Sequence, residues 1–481
     1  MDDGTESTVR PGRVVATLAL AGTVAALMQT LVTPLIAELP QLLNTSPSNA
    51  AWVVTVTLLV AGVCVPVSGR LGDLMGKRRM LLVCAVPLAV GSVVCALSST
   101  VVPMIVGRGL QGMGMGMVPL GIALIRDVVP AERLSSAIAL VSASMGIGGA
   151  IGLPVAAAVA EYADWRALFW GAAVLAVISG VLIRAVVPEV PVAARGQRFD
   201  LPGALGLAVG LVALLLGISK GADWGWSSRT TLGVLALAVL ALAVWGRWEL
   251  RTRDPLIDLR TTARPRVLLT NAASILVGVG MYAFMLIAPQ LLQFPEETGF
   301  GLGQSMLAAG LWLAPGGVMM MIVSPLAGKL ISARGPKPAL VLGALIISLG
   351  YGLALPLMDS ALGLMAVGIV TSSGVGLAYG AMPALIMSSV PLSETAAANG
   401  FNSLMRSLGT TIGAAVVGVV LAQMTVTVGG HTFASEDGFR TGLVIGCGAA
   451  LLAAAVAALI PAPRSTEAAE PAEPEQAPAR A

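Results

Sequence analysis

The chain has 481 residues, of which 56% are hydrophobic and only 11% charged, and its mean hydropathy is +0.89. A soluble domain carries about a quarter charged residues, so this composition excludes one and points to an integral membrane protein. A net charge of +3 is too small for a nucleic-acid binder, and the short alternating strands of a β-barrel are absent.

In chain order, residues 1–13 form a polar tail with Arg10 and Arg13. Apolar spans long enough to cross a bilayer follow at about 14–36, 50–68, 80–98, 102–125, 135–160 and 167–187. A polar stretch, 188–200, leads to two more at about 201–219 and 229–248. The basic segment 251–266, with Pro255 and Pro265, precedes six further spans at about 267–290, 304–327, 338–357, 361–387, 396–424 and 441–461. From 462 the chain is rich in Pro, Ala and Glu, a composition that cannot bury a core and predicts disorder.

The order six, two, six predicts an all-α fold with fourteen transmembrane helices. The bundles 14–187 and 267–461 flank a linker, 188–266, that carries the two extra helices. Of the 28 Lys and Arg residues, Arg108 and Arg406 fall inside spans. Arg166, Lys220, Arg229 and Arg440 fall on one side, and the remaining 22 fall on the other. That bias predicts that both termini are cytoplasmic. Trp52, Trp165, Trp170, Trp224 and Trp226 lie near outer ends and Trp245 and Trp248 near an inner end, as interfacial anchors do.

Several chemistries are excluded. Cys64, Cys84, Cys95 and Cys447 sit in apolar runs without metal-ligand spacing, and the single histidine, His431, reads as a loop residue, so no metal site is expected. The N-terminus has no signal-peptide pattern. No GxxxxGK[ST] sequence is present, so ATP does not drive the protein directly. No acid–base pair or nucleophile constellation suggests an enzyme.

One stretch organises the rest. Gly69-Arg70-Leu71-Gly72-Asp73-Leu74-Met75-Gly76-Lys77-Arg78-Arg79 interrupts two apolar spans and reads as a surface loop. It returns as Gly328-Lys329-Leu330-Ile331-Ser332-Ala333-Arg334-Gly335-Pro336-Lys337, without the Asp. Gly112 and Pro119 in the fourth span match Gly376 and Pro383 in the twelfth, and a glycine-rich span follows each: Gly146, Gly148, Gly149, Gly152, then Gly409, Gly413, Gly418. Two parallel six-helix repeats around a central cavity are a transporter plan.

These residues resemble the major facilitator superfamily, in its fourteen-helix drug:proton antiporter branch, over about 14–461. The stretch 69–79 resembles the family's loop after the second helix, Arg108 to Gly114 its fourth-helix element, and Asn402, Arg406, Gly409 and Gly413 the branch's penultimate helix. The sequence departs at two points. The fifth-helix element GPxxGG is replaced by Gly152-Leu153-Pro154-Val155-Ala156-Ala157, and the first-helix Asp by Met28.

The resemblance implies a gating group of Gly69, Arg70, Asp73, Gly76, Lys77 and Arg78, in which the Asp contacts basic residues and neighbouring helix ends. On its residues alone the stretch also fits a solvated, topogenic loop. Arg108 at membrane depth is costly, roughly 2.5–3.5 kcal/mol on insertion scales, and calls for a wet cavity or a partner, with Gln29 or Thr33 in place of the missing Asp. Packing and snorkelling are the alternative. Transport or coupling candidates are Arg108, Gln111, Glu38, Asp127 and Arg406, the last near the cytoplasmic end. Cavity candidates are Gln29, Thr33, Asn271, Tyr282, Trp312 and Tyr379. Gly146, Gly149, Gly152 and Pro154 form the expected seal of the fifth span.

The expected function is secondary active, proton-coupled efflux of small amphiphilic drugs or secondary metabolites by alternating access, hence multidrug efflux and antibiotic resistance. With no mid-membrane carboxylate, neutral or anionic amphiphiles suit the chain better than cations. A proton-independent facilitator or importer is the alternative, encouraged by Met28. A non-transporting sensor or scaffold is a further one, against which the short loops argue. The expected setting is a bacterial plasma membrane, as a multi-pass monomer with no cofactor, no nucleic-acid partner, and a small-molecule substrate.

Overall fold

Helix starts are written into the sequence as small polar residues ahead of apolar runs. Ser46, Asp200, Ser228, Ser305, Ser360 and Ser435 each accept a hydrogen bond from the backbone N–H three residues on, satisfying donors that a helix start leaves free. The computed structural model describes residues 11–32, 35, 39–192, 194, 196–428 and 431–461. Thr33, Glu38 and the tail from 462 lie outside them.

The first half comprises α1 (Pro11–Thr30), the one-turn α2 (Leu39–Leu42), α3 (Pro47–Met75), α4 (Lys77–Ala96), α5 (Val101–Gly114), α6 (Met117–Val128), α7 (Ala131–Tyr162) and α8 (Arg166–Val186). Two helices follow, α9 (Leu201–Trp224) and α10 (Arg229–Glu249), then the one-turn α11 (Leu259–Thr262). The second half comprises α12 (Pro265–Gln293), α13 (Met306–Arg334), α14 (Pro336–Leu357), α15 (Ala361–Met387), α16 (Thr395–Gln423) and α17 (Glu436–Ala458).

Thirteen helices of the described residues are long and apolar enough to cross a membrane. The fourth expected span is instead two helices, α5 and α6, broken at Met115 and Gly116. Pro119 has no N–H to donate four residues back, and Met115 closes a tighter bond to Gly112 at 3.2 Å. His431 is not in a loop. It opens β2 (His431–Ala434), which pairs antiparallel with β1 (Thr425–Val428), His431 opposite Val428.

The expected surface loop at 69–79 is also corrected. α3 runs on through Met75 and α4 begins at Lys77, so only Gly76 leaves the helix, at φ +101°. Gly335 does the same between α13 and α14 at φ +82°. These left-handed corners need glycine. They mark what we call the charged end of the bundle.

Each half has its own apolar core. α9 and α10 pack through Gly206 on Trp245 and Gly217 on Leu235. The pair docks on α3 and α16, where Leu207, Leu211 and Leu215 join Leu59, Leu404 and Leu408, together with Leu256 and Ile257 of the following segment.

Candidate functional site

The two halves meet along two helix pairs. In the first, α3 crosses α16 so closely that a Cβ on Gly69 would strike the Ala396 carbonyl, and one on Gly400 would lie 2.9 Å from the Val65 carbonyl. In the second, α7 runs antiparallel to α13. A Cβ on Gly328 would lie 2.6 Å from Ser136 Cα, one on Gly146 would strike Met320, and one on Gly310 would lie 3.2 Å from Pro154 Cα.

At the charged end of the first pair Asp73, 2% exposed, accepts from the amides of Ala396 at 3.0 Å and Ala397 at 2.9 Å. The carboxylate of one half thus caps the α16 N-terminus of the other, where free N–H groups and the helix dipole favour an anion. Arg126, which the sequence reading counted only for topology, adds bonds to Thr395 Oγ1 at 2.9 Å and the Val390 carbonyl at 3.2 Å. Nothing at the level of motif distinguishes it from a charge that sets orientation.

The basic residues of the stretch are not Asp73's hydrogen-bond partners. Lys77 pairs with Asp127 at 2.5 Å, both largely buried. Asp127 is therefore neutralised within the first half rather than free. Arg78 reaches Glu189 at 2.9 Å and the Arg184 carbonyl at 2.7 Å. Arg70, 3% exposed, borders a cavity of about 80 Å³ shared with Asn271, Glu394, Asp254 and Asp258.

Arg108 does not face a wet cavity. It is 1% exposed and is satisfied within the first half, donating to the carbonyls of Met28 at 2.8 Å and Val53 at 3.1 Å and to Gln111 Oε1 at 2.7 Å. Gln111 in turn donates to Ser92 Oγ at 2.8 Å. Where the resemblance supplies a first-helix carboxylate, this chain supplies the backbone carbonyl of Met28. Gln29 is exposed and takes no part. Buried charge is tolerated because each acceptor is in place; the cluster ties α1, α3, α4 and α5 together.

The cation between the halves is Arg406. Its guanidinium lies 4.5 Å from the Tyr379 ring centroid and makes only weak contacts, to Met145 Sδ at 3.9 Å and Ser403 Oγ at 3.4 Å. Met145 stands three residues before Gly148 as Arg406 stands three before Gly409. Equivalent positions that touch lie on the axis relating the two repeats. Tyr379, Ser142, Met145, Asn399, Asn402 and Arg406 border a pocket of about 10 Å³, room for about one water. Asn402 donates to Asn271 Oδ1 and Ser274 Oγ, both at 2.8 Å. Ser142 Oγ and Asn399 Oδ1 are buried without hydrogen-bond partners among the described residues.

The other candidates fall elsewhere. Tyr282 is half-buried away from this pocket, and Trp312 bonds Gln304 at 3.2 Å. Gly152 packs on Thr30 within the first half, and Gly149 touches nothing. Of the expected seal, Gly146 and Pro154 lie against α13.

A family model described as Major Facilitator Superfamily matches residues 18–414. An uncharacterized MFS-type transporter of Bacillus subtilis is 28% identical over 323 residues, 67% of this chain; the chain spans only 59% of that relative's length. The tetracenomycin C resistance and export protein of Streptomyces glaucescens is 29% identical over 86% of this chain and 76% of its own. The crystal structure of the human organic anion transporter MFSD10 superposes with a TM-score of 0.66 at 17% identity, covering 93% of this chain and 99% of that one.

Proposed function

The chain belongs to the Major Facilitator Superfamily, a family of membrane transporters rather than enzymes, and on that premise we propose that it exports small amphiphilic compounds by proton-coupled alternating access. The charged end is cytoplasmic and the membrane is the bacterial plasma membrane in this reading. Its main support is the pairing of a polar pocket on the repeat axis with a lock beside it. The lock consists of bonds to backbone amides, a hydroxyl and a carbonyl, none of them covalent. Breaking the Asp73 cap and the Arg126 bonds frees α3 from α16 and opens the Arg406 pocket to the cytoplasm; remaking them closes it.

Hydrogen bonds to charged groups contribute about 1.5–3 kcal/mol each at most, a scale that substrate binding can offset. Arg406 has no carboxylate partner among the described residues. A neutral or anionic amphiphile fits it better than a cation. The export protein of S. glaucescens, similar over most of this chain, supports the export direction.

Proton-independent facilitation is the second reading. It is favoured by the engagement of Asp73 at a helix end and of Asp127 with Lys77, the two acids of the gating and coupling candidates that lie among the described residues. Liposomes holding a pH-sensitive dye separate the two. Substrate-dependent proton movement that Arg406→Ala abolishes supports coupled export. Substrate flux with a silent dye supports the facilitator, and absence of any flux across an amphiphile panel refutes both.

A further inference from the structure

The two helices between the halves carry a cluster that the transport reading leaves unused. Asp200 and Glu249 meet at the charged end, where α9 begins and α10 ends, outside the apolar spans 201–219 and 229–248. Asp200 is 7% exposed and Glu249 2%. A methyl group on Gly203 would meet Asp200 Oδ2 and Glu249 Oε1 together, so both carboxyls face one small space. Trp248 donates its indole N–H to Asp200 at 2.9 Å, and Trp245 donates to Glu249 Oε1 at 2.9 Å. The amide of Gly203 also serves Asp200, at 2.9 Å. Glu249 Oε2 is buried and makes no hydrogen bond of ordinary geometry, although the backbone N–H groups of Leu256 and Ile257 face the carboxyl.

The surroundings supply no counter-charge. No Lys, Arg or His of the described residues forms an ion pair with either acid. Arg198, Arg247, Arg251 and Arg253, on the same segments, are exposed. Arg70 of α3, Glu394 before α16, and Asp254 and Asp258 of the linker border the neighbouring cavity instead. The side chains packed beside the pair are apolar, those of Ala204 and Leu207 of α9 and of Leu256 and Ile257 of the linker, while the backbone N–H groups of Leu256 and Ile257 turn toward Glu249. Two like charges in one dry space repel. The C-terminal end of α10 carries partial negative charge that adds to the repulsion, and an unpartnered buried carboxylate oxygen is costly.

We propose that Asp200 and Glu249 form a proton-binding site, in which the pair holds one proton, carried on Glu249, taken from and returned to water at the charged end. The proton removes the repulsion between the two carboxylates. Leu256 and Ile257 pack in one cluster with Trp245, Leu59 of α3, and Leu404 and Leu408 of α16. Gain or loss of the proton therefore acts on the linker segment that packs against α3 and α16, the helices that Asp73 joins.

Infrared difference spectroscopy on the full chain in lipid, titrated from acid to alkali, tests the site without requiring transport. Wild type should show a protonated-carboxyl band that persists beyond the range of ordinary carboxylates. Glu249→Gln, isosteric with the protonated acid, should lack that band. Asp200→Asn removes the like charge and should lower the band's midpoint by about one pH unit, a tenfold loss of proton affinity. A band unchanged in both variants, or none in wild type, overturns the proposal. Should Glu249→Gln fail to fold, Asp200→Asn decides alone: a shifted midpoint supports the site and an unshifted one sinks it.

Discussion

The two helix pairs that join the halves are equivalents under the internal repeat, yet they are built differently. Gly69 on α3 faces Ala396 of α16 as Gly328 on α13 faces Ser136 of α7. The first contact adds a buried carboxylate at a helix N-terminus, the Arg126 bonds, and the docked α9–α10 pair. At the position of Asp73 the second repeat has Ser332, which is exposed. The α7–α13 contact instead continues from Ser136 to Pro154, by close approach of glycines to Ser136, Met320 and Pro154. One seam is held by a few directional bonds at one end, the other by many small contacts along its length. Directional bonds break within a short displacement, whereas dispersion contacts yield gradually. In the proposed alternating access, α3–α16 is the seam that switches and α7–α13 the surface on which the halves pivot.

The strongest way to break that comparison is steric. Gly328→Val places a side chain against Ser136 backbone, and Gly69→Val against Ala396 backbone. Overpacking costs roughly 1–3 kcal/mol or more, so both should reduce substrate flux in liposomes by about tenfold or more. Full activity in Gly328→Val would remove α7–α13 from the mechanism. A large effect is also expected at Lys77–Asp127. Lys77→Met leaves a largely buried carboxylate unpaired and should destabilise the first half by about 3–5 kcal/mol, read as a lowered midpoint of thermal unfolding. Adding Asp127→Asn should recover part of that loss.

Asp73→Ala removes the helix cap, and the closed seam should weaken by about 1.5–3 kcal/mol, the range for hydrogen bonds to a charged group. Reagent access to Ala397→Cys should rise accordingly, and Ser332→Ala, the control in the other seam, should leave it unchanged. Equal responses would erase the asymmetry. The smallest effect belongs to Arg78→Ala. Its partner Glu189 is 85% exposed in its side chain, and exposed ion pairs contribute about 0–1 kcal/mol.

Much of this was legible in the sequence. Apolar run lengths and the recurrence of glycine at matched spacing determined the order and repeat of the spans, because each depends on neighbours within one or two turns. Gly76 and Gly335 could be found as corners for the same reason. Asp73 stood out because the charged, glycine-rich stretch around it resembles the family's loop after the second helix. What surrounds a charge was not legible. Arg108 and Arg406 read alike as buried cations, but one is satisfied by carbonyls of α1 and α3 and the other is left on the repeat axis with sulfur and an aromatic face. The partner of Asp73 is backbone 323 residues away, and backbone amides have no letter in a sequence. Asp200 and Glu249 stand at opposite ends of a two-helix segment in the sequence, and the packing of α9 on α10 brings them together. The sequence determined which segments cross the membrane and where the repeat lies, since those follow from local hydrophobicity and turn chemistry. Only the tertiary structure decided which charges are neutralised and which remain free, since that depends on groups brought together from distant parts of the chain.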